Sequence, residues 1–500
     1  MEERPPGGTR GGGGGALAPL PRLHPRRLPD PGYLEILRRG GQIAGSAVRH
    51  FLPIVLGHLR RSVDLSPADF AAPLRLVFED LGGTFIKFGQ IMASSPGMFS
   101  DAVAQEFRSC LDTGPRVPFA QVRNVVEDEL GMSIEDAFSD FDAVPFGRAS
   151  IAVVHKATLH DGRRVAVKIL RPGIDAAVAT DLDLMQPLFE VLARQTGDQM
   201  AGSVLQLLDS FRIQLGEELD LRNEARTMVA FRDLIAQSEM SSIVVPEPYR
   251  ELSGANVLTM QFLDGVPIDD LAQVADLGVD PAPLVEDVVR SFFVHMVRSG
   301  TFHGDIHAGN MLLLRDGRVG MLDWGIVDRL DPPTHRFVVR LLAAALGEEE
   351  AWDEVTEHLV KTYGPALGMA VGMDDAQMAS FIRALVEPAL TRPFGEVSLA
   401  SILQSVQLQL AHAQGVASHH RSLREIIQRL RFQRRVRAMA DASGGLFSEF
   451  DRATFLLSKQ LMYFERYGRM FVSEIPILND RAFIAQLLAG VDMAGLGLAD

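Results

Sequence analysis

The stretch FHGDIHAGNMLLLRDGRVGMLDWG, residues 302–325, decides how this chain is interpreted, because it sets polar side chains between apolar runs. Its candidate functional residues are His303, Asp305, His307, Asn310 and Asp323. The apolar runs flank Asp316-Gly317, and an Asp-Gly pair in that position is a strong hairpin signal. Three explanations compete: a metal site for hydrolysis, a phosphoryl-transfer site, or a hairpin with incidental acids.

The metal explanation starts from the alternation of His303, Asp305 and His307, which would share one face of an extended strand. Two imidazoles and a carboxylate can ligate zinc or iron. Such a site needs further ligands or a nearby base, and no second compact histidine cluster occurs in a suitable context. His419-His420 lies in a polar stretch that is typical of a solvated turn. The pattern therefore disfavours a metallohydrolase.

An ordinary hairpin explains the turn but not the spacing of the polar residues around it. A kinase catalytic loop has an aspartate five residues before an asparagine, followed by a hairpin and an Asp-Phe-Gly triplet. Here Asp305 precedes Asn310 by five residues, and Asp323-Trp324-Gly325 follows the hairpin. Each match alone is common, but their order and the hairpin between them favour phosphoryl transfer, which requires positioned phosphates and a magnesium ion.

A phosphoryl-transfer site also needs an upstream lysine and an acid to hold it. The apolar strand RRVAVKIL, residues 163–170, supplies Lys168, although a solvated edge-strand lysine is the alternative. The next long helical segment offers the acids Glu217, Glu218, Asp220 and Glu224. Residues two apart on a helix point about 200° away from each other, so Glu218 and Asp220 are expected to have different partners. A solvated acidic face remains the alternative for this helix.

The nucleotide loop departs from an ordinary protein kinase. A glycine-rich G-x-G-x-x-G loop is expected before the first strand, but the sequence VPFGRASIAVVHKA, residues 144–157, has only Gly147. Arg148, Ala149 and Ser150 follow it. The chain is therefore not expected to be an ordinary protein kinase.

A further segment identifies the family that the chain resembles. TFIKFGQIMASSPGMF, residues 84–99, matches a KxGQ motif at Lys87, Gly89 and Gln90, and EELDLRNEA matches an ExD motif at Glu218 and Asp220. With the alanine- and serine-containing loop, these motifs resemble the UbiB/AarF (ADCK) family of atypical kinases over about residues 66–332. The resemblance implies an α+β, two-lobed protein-kinase-like fold with an N-terminal KxGQ helical extension and a helical C-terminal region.

The resemblance also implies a role for each candidate residue. Lys168 would contact the nucleotide phosphates and pair with Glu224, Asn310 and Asp323 would hold Mg²⁺, and Asp305 would stand where a catalytic base stands. Lys87 would reach the site, meet Glu218 and Asp220, and so block a protein substrate. The candidate ATP contacts are Gly147, Arg148, Ala149, Ser150, Ile151, Val154, Lys168, Glu218, Asp220, Glu224, Met260 and Phe262.

Three features, at four positions, differ from the family pattern. Gly147 and Arg148 stand where alanines are usual, Val153 replaces a glutamine, and Trp324 replaces a phenylalanine. Gly147 would loosen the loop, and Arg148 would add charge near the phosphates. These differences bear on nucleotide preference and activity rather than on the fold.

The chain divides into four predicted regions. Residues 1–30 form a Gly/Pro/Arg-rich disordered tail, 31–140 a helical extension, 141–265 the N-lobe, and 266–500 the C-lobe with a helical C-terminal region. Residues 31–61 are predicted to form an amphipathic helix that breaks at Gly40-Gly41. That helix either packs on the same protein or lies on a membrane surface.

The amino-acid composition limits the possible functions of the protein and its possible locations in the cell. A net charge of −15 over 500 residues argues against a general nucleic-acid binder. The single cysteine, Cys110, excludes an internal disulfide, and no uninterrupted apolar run of about 18 residues predicts a transmembrane helix. We expect a cytoplasmic protein with peripheral membrane contact as the alternative.

Two functions follow from the motifs and the resemblance. The first is a Mg²⁺- and ATP-dependent ATPase or small-molecule or lipid kinase that supports isoprenoid quinone biosynthesis or lipid homeostasis, with a quinone precursor or lipid as partner. The second is a nucleotide-binding pseudokinase scaffold of a membrane-associated biosynthetic complex. An aminoglycoside-phosphotransferase-like enzyme shares the H-x-D-x4-N pattern, but such enzymes have no KxGQ helix across the site.

Overall fold

The computed structural model describes most of the chain between residues 23 and 371 and several segments near the C-terminus. The described ranges are 23–61, 67–93, 101–107, 116–196, 198–238, 240–371 and 480–498, with shorter pieces at 376–380, 383–384, 387, 453, 456–457, 459–461, 463–464 and 471. Cys110, His419-His420, residues 1–22 of the predicted tail and residues 388–452 of the predicted C-terminal helical region lie outside them.

The last part of the predicted disordered tail is held by contacts. The backbone N–H of Arg26 donates to the Gly216 carbonyl at 2.7 Å. Its guanidinium donates to the Asn256 side chain at 2.7 Å and to the Leu219 carbonyl at 3.1 Å. Residues 23–30 therefore lie against the protein, because Arg26 finds acceptors in two separate segments, and the prediction of disorder is wrong for them.

Helices precede the first sheet. They are α1 (Tyr33–Arg61), α2 (Ala71–Leu81), α3 (Gly83–Ala93), α4 (Asp101–Phe107), α5 (Phe119–Leu130) and α6 (Ile134–Ala137). The next elements are β1 (Asp140–Phe141), β2 (Gly147–Arg148), β3 (Ala152–Thr158), β4 (Arg164–Leu170), α7 (Ile174–Thr196), α8 (Asp198–Glu218), α9 (Leu221–Gln237), β5 (Ile243–Val244) and β6 (Val257–Gln261).

The C-terminal half is more helical. Its elements are β7 (Gly265–Pro267), α10 (Leu271–Leu277), α11 (Ala282–Ser299), β8 (Thr301–His303), β9 (Met311–Leu314), β10 (Val319–Met321), β11 (Val327–Arg329), α12 (Pro332–Ala345), α13 (Glu349–Val371) and α14 (Arg481–Ala489). The described residues thus form the mixed α+β architecture that the sequence predicts.

The first sheet is antiparallel and orders its strands β1-β3-β4-β6, with β2 also paired to β3. Its register sets Lys168 opposite Val154 and Leu258, and Ala166 opposite Met260. Residues directly opposite each other in a ladder project from the same face. Lys168 therefore shares its face of the sheet with the apolar side chains of these neighbours.

The polar stretch from residue 302 onward contributes strands to two small sheets, both of which contact α11. One has the order β5-β10-β9-β7, and β8 pairs with β11 in the other. Gly317 has a φ of +80° in the turn between β9 and β10, which confirms the predicted Asp-Gly hairpin. The hairpin and the β8–β11 pair bring the two ends of the stretch, around Asp305 and Asp323, to one side of α11.

Helix α1 differs from the prediction because it is continuous through Gly40-Gly41. Arg39 supports it there, donating to the two oxygens of Asp181 at 2.6 and 3.1 Å and to the Leu81 carbonyl at 2.8 Å. Tertiary contacts of this kind outweigh the low helix propensity of two glycines. In the described part of the chain, no helix combines the length and apolar character that crossing a bilayer requires.

The KxGQ segment lies on α3, which packs closely against α4. A methyl group built on Gly89 would come within 2.6 Å of the Phe107 ring, whose side chain is fully buried. The rings of Phe78 and Phe107 meet edge-on at 5.0 Å beside this contact. The glycine of the motif therefore lets α3 approach an aromatic cluster that holds the extension together.

Gly89→Ala is expected to lower the free energy of unfolding by about 1–3 kcal/mol, because the added methyl must displace a buried ring. Gly45→Ala is the matched control, since a methyl there meets nothing within 4 Å on an exposed helical position. We expect it to stabilise the protein by about 0.5–1 kcal/mol. Thermal and chemical denaturation of both variants measure the difference. Equal melting temperatures would contradict the packing role of Gly89.

Candidate active site

Lys168 is the centre of the candidate site. Its Nζ donates to Oε1 and Oε2 of Glu224 at 2.9 and 2.8 Å and to Oδ2 of Asp323 at 3.3 Å. β4 supplies the lysine, α9 the glutamate and the segment after β10 the aspartate. Three parts of the chain that are far apart in sequence therefore meet at one ammonium group.

The charges at this point are strongly coupled. Burial raises the pKa of Glu224, and the charge of Asp323 adds to that rise, while the Lys168 ammonium opposes it. Burial alone would lower the pKa of Lys168, but the carboxylates of Asp323 and Glu224 outweigh it and raise that pKa above its ordinary value. Burial would raise the pKa of Asp323, but the Lys168 and Lys87 ammoniums hold it well below its usual range. Asp323 therefore stays ionised, as a ligand of a hard cation must be.

Asp305 and Asn310 lie in the loop between β8 and β9. The Asn310 side chain donates to the Asp305 carbonyl at 3.1 Å, and the Leu322 N–H donates to the Asn310 carbonyl at 2.9 Å. The second bond joins the loop between β8 and β9 to Leu322, the residue just before Asp323. Backbone pairing therefore brings together the three polar residues whose spacing favoured phosphoryl transfer.

His303 organises this loop with both ring nitrogens. Its Nδ1 accepts the Asp305 N–H at 3.0 Å, and its Nε2 donates to the Asp323 carbonyl at 2.7 Å. Burial lowers its pKa, which keeps the ring in the neutral form that this arrangement requires. Because neither nitrogen is left for a metal, His303 positions the loop instead of ligating zinc or iron.

Trp324 fits the position where the resemblance leads one to expect phenylalanine. The indole is buried, and its centroid lies 4.7 Å from that of Phe231 and 4.9 Å from that of the His303 ring. Its Nε1–H donates to the Met321 carbonyl at 2.9 Å. The extra polar group of tryptophan is therefore satisfied, and the substitution leaves the Asp323-Trp324-Gly325 turn intact.

The KxGQ and ExD motifs meet as expected only in part. Lys87 donates to Oε2 of Glu218 at 2.5 Å, with both side chains largely buried. Asp220 instead caps α9 through the Arg222 N–H and pairs with the Arg222 guanidinium at 2.6 Å. The chain turns between the end of α8 and the start of α9, so these two acids point to different partners. The expected contact of Lys87 with Glu218 is therefore present, while Asp220 pairs with Arg222.

The loop that would cover a nucleotide is held by a residue that the sequence did not single out. Arg171 donates through Nε and an Nη to the Ala149 carbonyl at 3.1 and 2.8 Å, and its backbone N–H donates to the Ile151 carbonyl at 2.9 Å. Ser150 and Ile151 are buried inside this loop, whereas Arg148 is exposed on β2. An arginine after an apolar strand is too common to be recognised from sequence.

The predicted contacts on the sheet lie on the face of Lys168. Val154 and Met260 occupy neighbouring rows of the ladder beside it, and Gly147 lies opposite Val154 on β2. Phe262 lies farther out, with its ring centroid 5.8 Å from that of Phe146 and the Lys156 ammonium 5.2 Å away. The apolar residues nearest Lys168 form a surface on which an adenine base could pack.

A C-terminal lysine also reaches the site, and the sequence interpretation missed it. Lys459 Nζ donates to Oδ1 of Asp305 at 2.7 Å. Burial alone would raise the pKa of Asp305, but the charges of Lys459 and His307 outweigh it and lower that pKa. The segment around residue 459 has an ordinary helical pattern, so nothing in the sequence distinguishes this lysine from a solvated one.

The residues proposed for Mg²⁺ suit that ion. The carboxylate of Asp323 and the amide oxygen of Asn310 are oxygen ligands of the kind Mg²⁺ prefers. The Asp323 side chain is 42% exposed, so it remains accessible although Oδ1 accepts the Gly325 N–H at 2.9 Å. Within the described segments, no cluster of three His, Cys, Asp or Glu side chains forms a closed metal site.

Comparisons with known proteins place the chain in a family. Residues 109–358 match the model of the ABC1 atypical kinase-like domain. An aarF domain-containing protein kinase of Arabidopsis thaliana, described by its name as uncharacterised and chloroplastic, is 31% identical over 411 residues, which are 82% of this chain and 73% of that protein. A protein of Erwinia tasmaniensis named probable protein kinase UbiB is 32% identical over 338 residues, 66% of this chain and 60% of that protein.

One solved structure is also similar. It is the complex of Rv3197 with erythromycin from Mycobacterium tuberculosis, which covers 81% of this chain and 95% of its own at 22% identity and a TM-score of 0.41. A superposition at this level supports no inference about function.

The buried Lys87–Glu218 pair is expected to stabilise the contact between α3 and α8. Lys87→Met should lower the free energy of unfolding by about 3 kcal/mol, because it leaves the Glu218 carboxylate buried and unpaired. Adding Glu218→Gln should recover part of that loss, giving a coupling energy of about 1–3 kcal/mol in a double-mutant cycle.

Lys361 and Glu357 supply the matched control. Their charged atoms also lie 2.5 Å apart, but the side chains are 73% and 63% exposed. The same cycle there should give at most about 0.5 kcal/mol. Equal coupling at the two sites, measured by denaturant unfolding, would show that burial of the Lys87 pair does not matter.

Proposed function

This chain belongs to the ABC1 atypical kinase-like family, and from that premise we propose that it is a Mg²⁺- and ATP-dependent enzyme of phosphoryl transfer. Its reaction is either ATP hydrolysis or phosphorylation of a small molecule or lipid. Its role is to support isoprenoid quinone biosynthesis or lipid homeostasis.

The observation that carries this proposal is the arrangement around Lys168. In kinases, the strand lysine must pair with a helix glutamate while the metal-binding aspartate stands beside it. Here Lys168 lies 2.8 Å from Glu224 and 3.3 Å from Asp323. This arrangement of the three groups supports the proposal of a phosphoryl-transfer site.

The polar residues divide the chemistry between them. Lys168 would bind phosphate oxygens of ATP, and the backbone of residues 149–151 would lie over them. Asp305 would orient the attacking oxygen and take its proton, while that oxygen bonds to the γ-phosphorus and the bond to the leaving ADP oxygen breaks. Mg²⁺ held by Asn310 and Asp323 would neutralise charge on the phosphates.

The KxGQ helix favours a small acceptor or water over a protein substrate. Lys87 and Glu218 are largely buried, and the Lys87 ammonium is near enough to influence the charges of Asp305 and Asp323. A bulky substrate would have to break this buried pair to reach Asp305, at considerable cost in free energy.

The alternative of a pseudokinase scaffold finds less support in the site. A scaffold needs nucleotide binding but no ionised carboxylate at the position of a catalytic base. Here Asp305 is retained, its pKa is lowered, and Lys459 donates to it. Retention of the whole polar set supports an enzyme.

The pathway is inferred from the relatives. Several similar proteins are named probable protein kinase UbiB, including those of Erwinia tasmaniensis and Marinobacter nauticus, with 30–32% identity. The family resemblance associates such proteins with isoprenoid quinones and lipids, which reside in membranes. A membrane contact of this chain would give it access to such substrates.

Helix α1 has the surface for that contact. Seven large apolar side chains on it are 41–80% exposed: Tyr33, Leu34, Leu37, Val48, Leu52, Val55 and Leu56. At 100° per residue they fall within an arc of about 140°. Exposed Arg38 and Arg49 border this arc, which suits anionic lipid headgroups beside a shallow apolar face. We infer that α1 lies on an anionic membrane surface.

Asp323→Asn is expected to reduce Mg²⁺-dependent release of phosphate from ATP by about 100-fold or more, because it removes a charge that holds the metal. Asp316→Asn is the control: it changes an acid of the same stretch that is 52% exposed in the hairpin turn. It should leave the rate unchanged. Phosphate release by purified full-length protein, with and without EDTA, measures both.

Release that survives Asp323→Asn would exclude the proposed site. Nucleotide binding by the wild type without phosphate release, in the presence or absence of anionic vesicles and candidate lipids, would favour the scaffold.

Leu52→Glu is expected to reduce cosedimentation with vesicles of anionic phospholipid at least several-fold, because it introduces a charge within the apolar arc. Leu271→Glu is the control, since Leu271 is 58% exposed on α10, outside that arc. If both variants bind vesicles like the wild type, the surface inferred on α1 is not the membrane contact.

A further inference from the structure

Lys459 holds the residue that occupies the catalytic-base position. Its Nζ lies 2.7 Å from Oδ1 of Asp305, and the side chains are 12% and 20% exposed. The two residues are 154 positions apart in sequence. The ion pair is therefore a long-range contact between the catalytic loop and the C-terminal region.

Contacts other than the ion pair hold the segment of Lys459, Gln460 and Phe464 against the loop between β8 and β9. Gln460 accepts the Ile306 N–H at 2.7 Å and donates to the Ile306 carbonyl at 3.0 Å, like a neighbouring strand. Phe464 is fully buried, with its ring 4.9 Å from that of Phe292. Docking thus has its own polar and apolar contacts, and Lys459 is not needed to attach the segment.

The geometry of the ion pair leaves half of the carboxylate available. Lys459 binds Oδ1 of Asp305, while Nε2 of His307 lies 3.8 Å from Oδ2. That distance exceeds hydrogen-bond length. An attacking hydroxyl or water could therefore meet Oδ2 while Lys459 fixes the rotation of the carboxylate.

We propose that Lys459 is a positioning residue for Asp305, and that the C-terminal segment carrying it is part of the active site. The inference rests on the proposed phosphoryl-transfer function. Lys459 fixes the carboxylate through Oδ1 so that Oδ2 faces the attacking oxygen. Its ammonium also adds a positive charge beside the position where phosphate charge increases during the reaction.

A double-mutant cycle on phosphate release tests this role. Lys459→Met should lower kcat by about 10- to 100-fold, the scale of a misplaced acid–base group, while KM for ATP changes less than about twofold. Lys459→Arg keeps the charge and should retain more kcat than Lys459→Met. In an Asp305→Asn background, Lys459→Met should have almost no further effect, because its target is already lost.

Two controls separate positioning from folding. Lys361→Met changes an exposed lysine on α13 and should leave kcat unchanged. The rise in melting temperature on adding Mg²⁺-ADP should be the same in Lys459→Met as in the wild type, since Lys168 and Asp323 are unaltered. If Lys459→Met does not fold, Lys459→Gln and Lys459→Arg take its place, and the proposal requires both to lose kcat.

Three other outcomes of these measurements would contradict the proposal, each in a different way. A wild-type protein that releases no phosphate under any condition overturns the proposed function and this role with it. An active wild type whose folded Lys459 variants keep full kcat overturns the role of Lys459 alone. A loss at Lys459 that persists in full in the Asp305→Asn background also overturns it, because Lys459 would then act independently of Asp305.

Discussion

The buried ammonium of Lys168 is the interaction on which the rest of the site depends. It lies on an inner strand of the first sheet and joins a helix carboxylate, Glu224, to Asp323, which follows β10. A buried charge without a partner is strongly unfavourable, so the buried Lys168 and Glu224 require each other, and the partly exposed Asp323 adds a second carboxylate to the ammonium. The strand, α9 and the hairpin must therefore dock in one arrangement, and the proposed phosphoryl transfer would use that arrangement.

A second constraint is that the backbone groups of the loop between β8 and β9 need hydrogen-bond partners. His303 bonds the backbone on both sides of the site, and Gln460 bonds both backbone groups of Ile306. Irregular backbone between two lobes would otherwise leave buried N–H and C=O groups unpaired. The C-terminal segment thus satisfies the loop and brings Lys459 to Asp305 in the same contact. The same residues therefore contribute to stability and to the proposed chemistry.

The sequence determined those features that depend on spacing along the chain. Alternation of apolar residues gave the strand that carries Lys168, and Asp316-Gly317 gave the hairpin, because only a few residue pairs favour such turns. The interval from Asp305 to Asn310 and the position of Asp323 after the hairpin are local too. These signals were sufficient to recognise a kinase-like site and the family that the chain resembles.

Only the tertiary structure decided which charged groups meet. Glu218 and Asp220 are two residues apart, yet one pairs with Lys87 and the other with Arg222, because the chain turns between them. The continuity of α1 through its glycines and the contact of Lys459 with Asp305 depend on packing partners far away in sequence. Periodicity shows which face of an element is apolar. The partner of a buried charge is fixed only when separate elements have docked, because the free energy of the pair depends on its final distance and burial.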